Sequence, residues 1–115
     1  MTDREMVELA AKAAGIRARW IGNIFTRDDY AVADPRSWWR PLADDGDALR
    51  LAVKLGLNID VYRQEPLRET PCVEVRGYVY RRSLAIEQAE HDGASLESAT
   101  RRAVVRAAAE IGKGM

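Results

Sequence analysis

Three carboxylates stand within four residues, Asp44, Asp45 and Asp47 around Gly46. Oxygen clusters of this kind hold Ca²⁺ or Mg²⁺. A calcium loop, however, continues its ligands at alternate positions and closes on a bidentate Glu, whereas Leu49, Leu51 and Val53 follow here. The aspartates stand where a helix start wants acceptors for its free N–H groups and negative charge against its dipole. The pattern predicts helix caps and no metal site. His91 is the single histidine, with Glu87, Glu90 and Asp92 close in sequence. A His–carboxylate pair serves general-base chemistry, but no serine or cysteine is placed beside it by spacing, and a solvated loop histidine is the simpler reading. Cys72 follows Pro71 at the start of an apolar alternation. With no base or helix start beside it to lower its pKa, it reads as a small buried residue. Phosphate-loop, dinucleotide-glycine and zincin motifs are missing. The expectation is no catalytic residue, no cofactor and no metal.

Two constellations point to binding instead. Arg102 and Arg106 are one helical turn apart; with Arg81, Arg82, Tyr78 and Tyr80 they would make a basic, stacking surface for single-stranded nucleic acid. Glu97, Glu110, Glu87 and Glu90 interleave with them, which favours a salt-bridged helix face. Trp38 and Trp39 are adjacent in a segment bracketed by Pro35 and Pro41. Two neighbouring indoles in irregular chain do not both fit one core. One is expected to pack on the following helix and the other to mark a partner surface.

The elements that must position these residues follow from periodicity. Residues 3–14 carry a helical stripe of Met6, Leu9, Ala10 and Ala13, with Thr2 or Asp3 to cap it and Gly15 to end it. Residues 16–25 read as a strand, 26–29 as a turn and 30–32 as a short returning strand. A second helix over 44–55 is apolar around most of its circumference, which predicts that it is largely buried and central; Gly56 ends it. Residues 57–62 and 72–80 alternate and form an antiparallel hairpin across the polar loop 63–71. Residues 84–89 read as a helical turn. Ser95 caps a last helix over 96–111, which Gly112 stops. The fold class is α+β, an antiparallel sheet of three to four strands with three helices packed on it, in the order α-β(β)-α-β-β-α.

Composition bounds the rest. The chain has 115 residues, 47% of them hydrophobic, and 18 basic against 18 acidic side chains. This suits one domain, residues 1–115. Zero net charge gives no global pull toward nucleic acid or anionic membrane. The basic set is 15 Arg and 3 Lys, spread along the chain rather than clustered. A lone cysteine fits a reducing compartment, no apolar run reaches the ~18 residues of a membrane span, and the start carries no signal core. Cytoplasmic location is expected.

The stretch Trp39-Arg40-Pro41-Leu42, the aspartates 44–47, the helix 48–55 and the alanine-rich helix 98–108 together resemble small phage and prophage proteins. These include the NinX-like proteins of lambdoid phages and the phage α/β/α-sandwich domain. The leading helix, residues 6–15, fits as well. Arg40 stands where those proteins often carry Asn, and 26–37 is longer here. The resemblance implies an accessory protein of a phage or prophage in the bacterial cytoplasm, with no activity or catalytic residue to carry over. The leading expectation is a non-enzymatic protein that acts by protein–protein contact with a host or phage partner or with itself. The alternatives are a nucleic-acid-binding module on the arginine patch and a small hydrolase around His91.

Overall fold

A computed structural model describes residues 1–62, 71–77, 82–88 and 95–115 of the protein. The loop at 63–70, the strand end at 78–80, Arg81 and His91 lie outside the described residues. The elements are α1 (Asp3–Ala14), β1 (Ala18–Ile21), β2 (Ile24–Arg27), a 3-10 turn (Pro35–Ser37), α2 (Asp45–Leu55), β3 (Asn58–Tyr62), β4 (Cys72–Arg76), β5 (Ser83–Gln88) and α3 (Leu96–Lys113). The class is α+β. The strands form two antiparallel sheets, β1-β2 and β3-β4-β5, where a single sheet was expected.

The helix starts follow the capping residues. The Thr2 hydroxyl accepts from the Glu5 N–H at 3.2 Å, the Asp44 carboxylate from Asp47 N–H at 2.9 Å, and the Ser95 hydroxyl from Ser98 N–H at 3.1 Å. Each satisfies a backbone donor that the first turn leaves open. Gly15 and Gly56 close α1 and α2 at φ 69° and 63°, a left-handed conformation that side chains resist.

Two strand expectations are corrected. Residues 16–25 do not run as one strand, because Gly22 turns left-handed at φ 61° and folds the chain back. Trp20 then pairs with Phe25 and Ala18 with Arg27, so the returning strand is 24–27 rather than 30–32. Residues 84–88 are not a helical turn, and Ala89, the last residue of that expected turn, lies outside the described residues. The far edge of β4 needs hydrogen-bonding partners, and β5 supplies them, with Glu74 opposite Ile86 and Val75 opposite Ala85. The register slips by a bulge between Val75 and Arg76. The β3–β4 hairpin is as expected, Ile59 opposite Val75 and Val61 opposite Val73.

The central helix is α3, not α2. It packs against α1, α2 and one face of the three-stranded sheet. Val104 and Val105 of α3 meet Val73 and Val75 of β4 in the same core cluster, all four essentially without solvent contact. Each such valine contributes roughly 1.5–3 kcal/mol by leaving water. By contrast α2 buries only the side bearing Ala48, Leu51 and Ala52; Leu49 and Val53 face outward. Gly112 does not stop α3, which continues to Lys113. A Cβ at Gly112 would lie 2.1 Å from the Leu9 carbonyl oxygen, so α1 and α3 come into backbone contact at this glycine. No helix among the described residues is long and apolar enough to cross a membrane.

Candidate binding cleft at Trp38

The segment after β2 is fixed by short-range chemistry. Asp34 accepts from the Arg36 N–H at 2.9 Å and from its guanidinium at 2.7 Å, and Pro35 presets the backbone of the 3-10 turn. The chain then runs extended beside β2. Trp38 bridges to Thr26, and the Trp39 N–H donates to the Phe25 carbonyl at 2.9 Å. Extended backbone sends successive side chains to opposite sides. Trp39 therefore points into the core, 3% exposed, with its ring 6.1 Å from that of Phe25; Trp38 points outward and is 38% exposed.

The start of α2 holds the far side of this segment. Asp44 caps the helix, but Asp47 does something the sequence reading did not foresee. One of its carboxylate oxygens accepts from the Arg40 backbone N–H at 2.9 Å, and the other from the Arg50 guanidinium at 2.8 Å. Asp45 pairs with Arg101 of α3 at 2.6 Å, and the same arginine donates to the Leu42 carbonyl at 3.0 Å. Of the three aspartates, one caps, one tethers the Trp38 segment and one ties it to the central helix.

Between these walls lies an open cleft of about 520 Å³. Trp38 and Tyr30 supply its aromatic surface, and Arg27, Arg36, Arg40 and Arg50 its cations. The guanidinium groups of Arg27 and Arg36 stand 5.4 and 5.1 Å from the Tyr30 ring, and that of Arg40 stands 5.4 Å from the Trp38 ring. At exposed sites such contacts contribute about 0.5–1 kcal/mol each and hold rings and cations in register. The charges are matched locally. Arg27 pairs with Asp29 at 3.0 Å, Arg36 with Asp34 at 2.7 Å, and Arg50 with Asp47 at 2.8 Å. The hydrogen bonds from Arg36 hold the Asp34 carboxyl below the usual carboxylate range, and the bond to Asp47 makes Arg50 still harder to deprotonate. Arg40 differs: its guanidinium leans on Trp38 with no carboxylate partner among the described residues.

The cleft presents aromatic rings and guanidinium groups. Its lining is arginine, aromatic, proline and aspartate, with no serine, threonine, cysteine or histidine among the described residues. The described residues hold no group of three or more side chains suited to a metal ion. Cys72 lies half-buried at the start of β4, opposite Tyr62 and Gln88 in the ladder.

The other expected surface has a different form. Arg106 donates to Glu87 at 2.6 Å and to the Ile86 carbonyl at 3.1 Å; Arg102 stands 3.5 Å from the same Glu87 and 3.0 Å from Asp3. Glu87 reaches α3 because β5 is a strand, with Ala85 and Glu87 on the same side. Arg82 is exposed just before β5, away from this pairing, and Arg81, Tyr78 and Tyr80 lie outside the described residues. The sequence named Trp38 and Trp39 together as a candidate interaction surface without deciding between them; Trp39 is corrected to a core residue, 3% exposed, and Tyr30, Arg27, Arg36 and Arg40 were missed. The available signal was the two-residue spacing of Arg27–Asp29 and Asp34–Arg36, each of which lets a side chain close on its near neighbour. No protein-family model, curated protein or solved structure matches the chain.

Proposed function

We propose that this chain is a non-enzymatic accessory protein of a phage or prophage, acting in the bacterial cytoplasm by protein–protein contact through the Trp38 cleft. The observation that carries the reading is Trp38 itself, a large indole 38% exposed on a built cleft while its neighbour Trp39 is 3% exposed. Tryptophan, tyrosine and arginine are the residues that dominate protein interfaces, and here all three converge on one concave surface held from both sides. Matched charge favours a protein over a nucleic acid. A phosphate would compete with Asp29, Asp34 and Asp47 for guanidinium groups already engaged, whereas a protein partner needs only the ring faces and the Arg40 cation.

Affinity capture from a lysogenic host with wild-type and Trp38→Ala chains side by side tests this. The expected result is a protein retained by the wild type and bound at least about thirtyfold more weakly by the variant, as loss of a hot-spot tryptophan worth about 2 kcal/mol or more requires. Identical retention by both chains, or retention that disappears with nuclease treatment, overturns it.

A further inference from the structure

The Trp38 cleft adjoins two further recesses. One, of about 470 Å³, opens where α1 ends and β1 begins and carries Arg17, Asp28, Asp29 and Lys54. The other, of about 290 Å³, lies along β2 and carries Arg19, Asp28, Tyr30 and Val32. Arg27 lines all three, so they meet at the end of β2.

The cations of this surface fall into two groups. Arg27, Arg36 and Arg50 are held by Asp29, Asp34 and Asp47. The side chains of Arg17, Arg19, Arg40 and Lys54 are exposed, with neither a hydrogen bond nor an ion pair among the described residues. The only other described side-chain cation in that state is Arg82, which lines none of the three recesses. Cations far apart in sequence therefore gather unpaired on one surface of a chain whose formal charge is zero. A guanidinium that no carboxylate of its own chain engages is open to one from outside, which it can take on two parallel N–H donors.

The aspartates decide which anion suits the surface. Asp28, Asp29, Asp44 and Asp47 line the same recesses as the unpaired cations. A nucleic-acid strand carries a charge on every phosphate and cannot omit one beside an aspartate. A polypeptide sets carboxylates only where cations stand and neutral residues elsewhere, so like charges are kept apart. Extended, it advances about 3.3 Å per residue with side chains alternating in direction, which lets one segment address recesses on different sides of Arg27.

We infer that the Trp38 cleft and its two side recesses take an acidic, extended segment of the partner protein, whose carboxylates meet Arg17, Arg19, Arg40 and Lys54. The inference rests on the reading of the Trp38 cleft as a protein-binding surface and adds to it the chemistry of the partner.

The test is fluorescence anisotropy of a labelled polyglutamate peptide of about ten residues, titrated with the purified full chain at roughly 20 mM salt, where screening is weak. The expected dissociation constant lies between about 10 µM and about 1 mM. Changing Arg17, Arg19, Arg40 and Lys54 together to Gln is expected to weaken binding at least about 15-fold, as the loss of four exposed ion pairs requires. Arg82→Gln, the control, is expected to change it less than about twofold. A thymidine oligonucleotide of the same length is expected to bind at least about fivefold more weakly than the peptide. None of the four side chains makes a hydrogen bond or ion pair that the fold would lose, so the variant should keep the far-ultraviolet circular dichroism of the wild type. An unbound peptide, equal binding by the four-fold variant, or an oligonucleotide bound as tightly as the peptide overturns the inference. Should the peptide stay unbound while capture of a host protein still depends on Trp38, the acidic segment falls and the Trp38 reading stands.

Discussion

Trp39→Ala is expected to lower the unfolding free energy by about 3–5 kcal/mol, whereas Trp38→Ala, one residue away, lowers it by less than about 1 kcal/mol. Trp39 is 3% exposed in the main core cluster beside Phe25, and its truncation leaves a cavity walled by packed side chains and strand backbone. The surroundings relax only partly, so lost transfer energy and lost contacts add. Trp38 faces the cleft and leaves no enclosed void. Urea unfolding of both variants, followed by far-ultraviolet circular dichroism, checks the difference. Equal losses would mean that the extended segment beside β2 does not send the two indoles to opposite sides.

Gly112→Ala is expected to cost about 3 kcal/mol, at the upper end of overpacking effects, although alanine is the better helix former. The new methyl would sit 2.1 Å from the Leu9 carbonyl oxygen and 2.8 Å from its carbon. Backbone of a packed helix cannot rotate away as a side chain does, so α1 and α3 must separate along their length. For a chain of this size the change corresponds to a fall in Tm of roughly 10–20 °C. Gly114→Ala is the control: its nearest neighbour would be the Ile111 carbonyl at 3.6 Å, and a change within about 0.5 kcal/mol is expected. Thermal unfolding of the pair is the check, and equal melting temperatures would contradict backbone contact between α1 and α3 at Gly112.

Capping chemistry was legible in the sequence because it is local. Thr2 and Gly15, Asp44 and Gly56, and Ser95 each act within a few residues, and the helices they bound are found where expected. The rank of the helices was not legible. The leucines and valine of α2 suggested a buried centre, yet side-chain size is a poor guide when three elements must share one helix. The alanines of α3 let α1, α2 and the sheet approach it from different sides, and Gly112 extends that closeness to backbone contact. The run 83–88 alternates too weakly to distinguish a strand from a helical turn, and only the unpaired edge of β4 decides it. The split between Trp38 and Trp39 followed from volume alone. The cleft around Trp38 did not, because Tyr30 and Arg40 come together only through the bridge to Thr26 and the reach of Asp47 back to the Arg40 N–H.

The proposed function puts a protein partner on the Trp38 cleft. Photo-crosslinking from its other aromatic wall tests this most directly, using Tyr30→p-benzoylphenylalanine in the full chain, expressed in a lysogenic host and irradiated in the cell. The expected result is a discrete protein adduct that is lost when Trp38→Ala is added to the same chain. No adduct, an adduct to nucleic acid, or a protein adduct indifferent to Trp38 would contradict it.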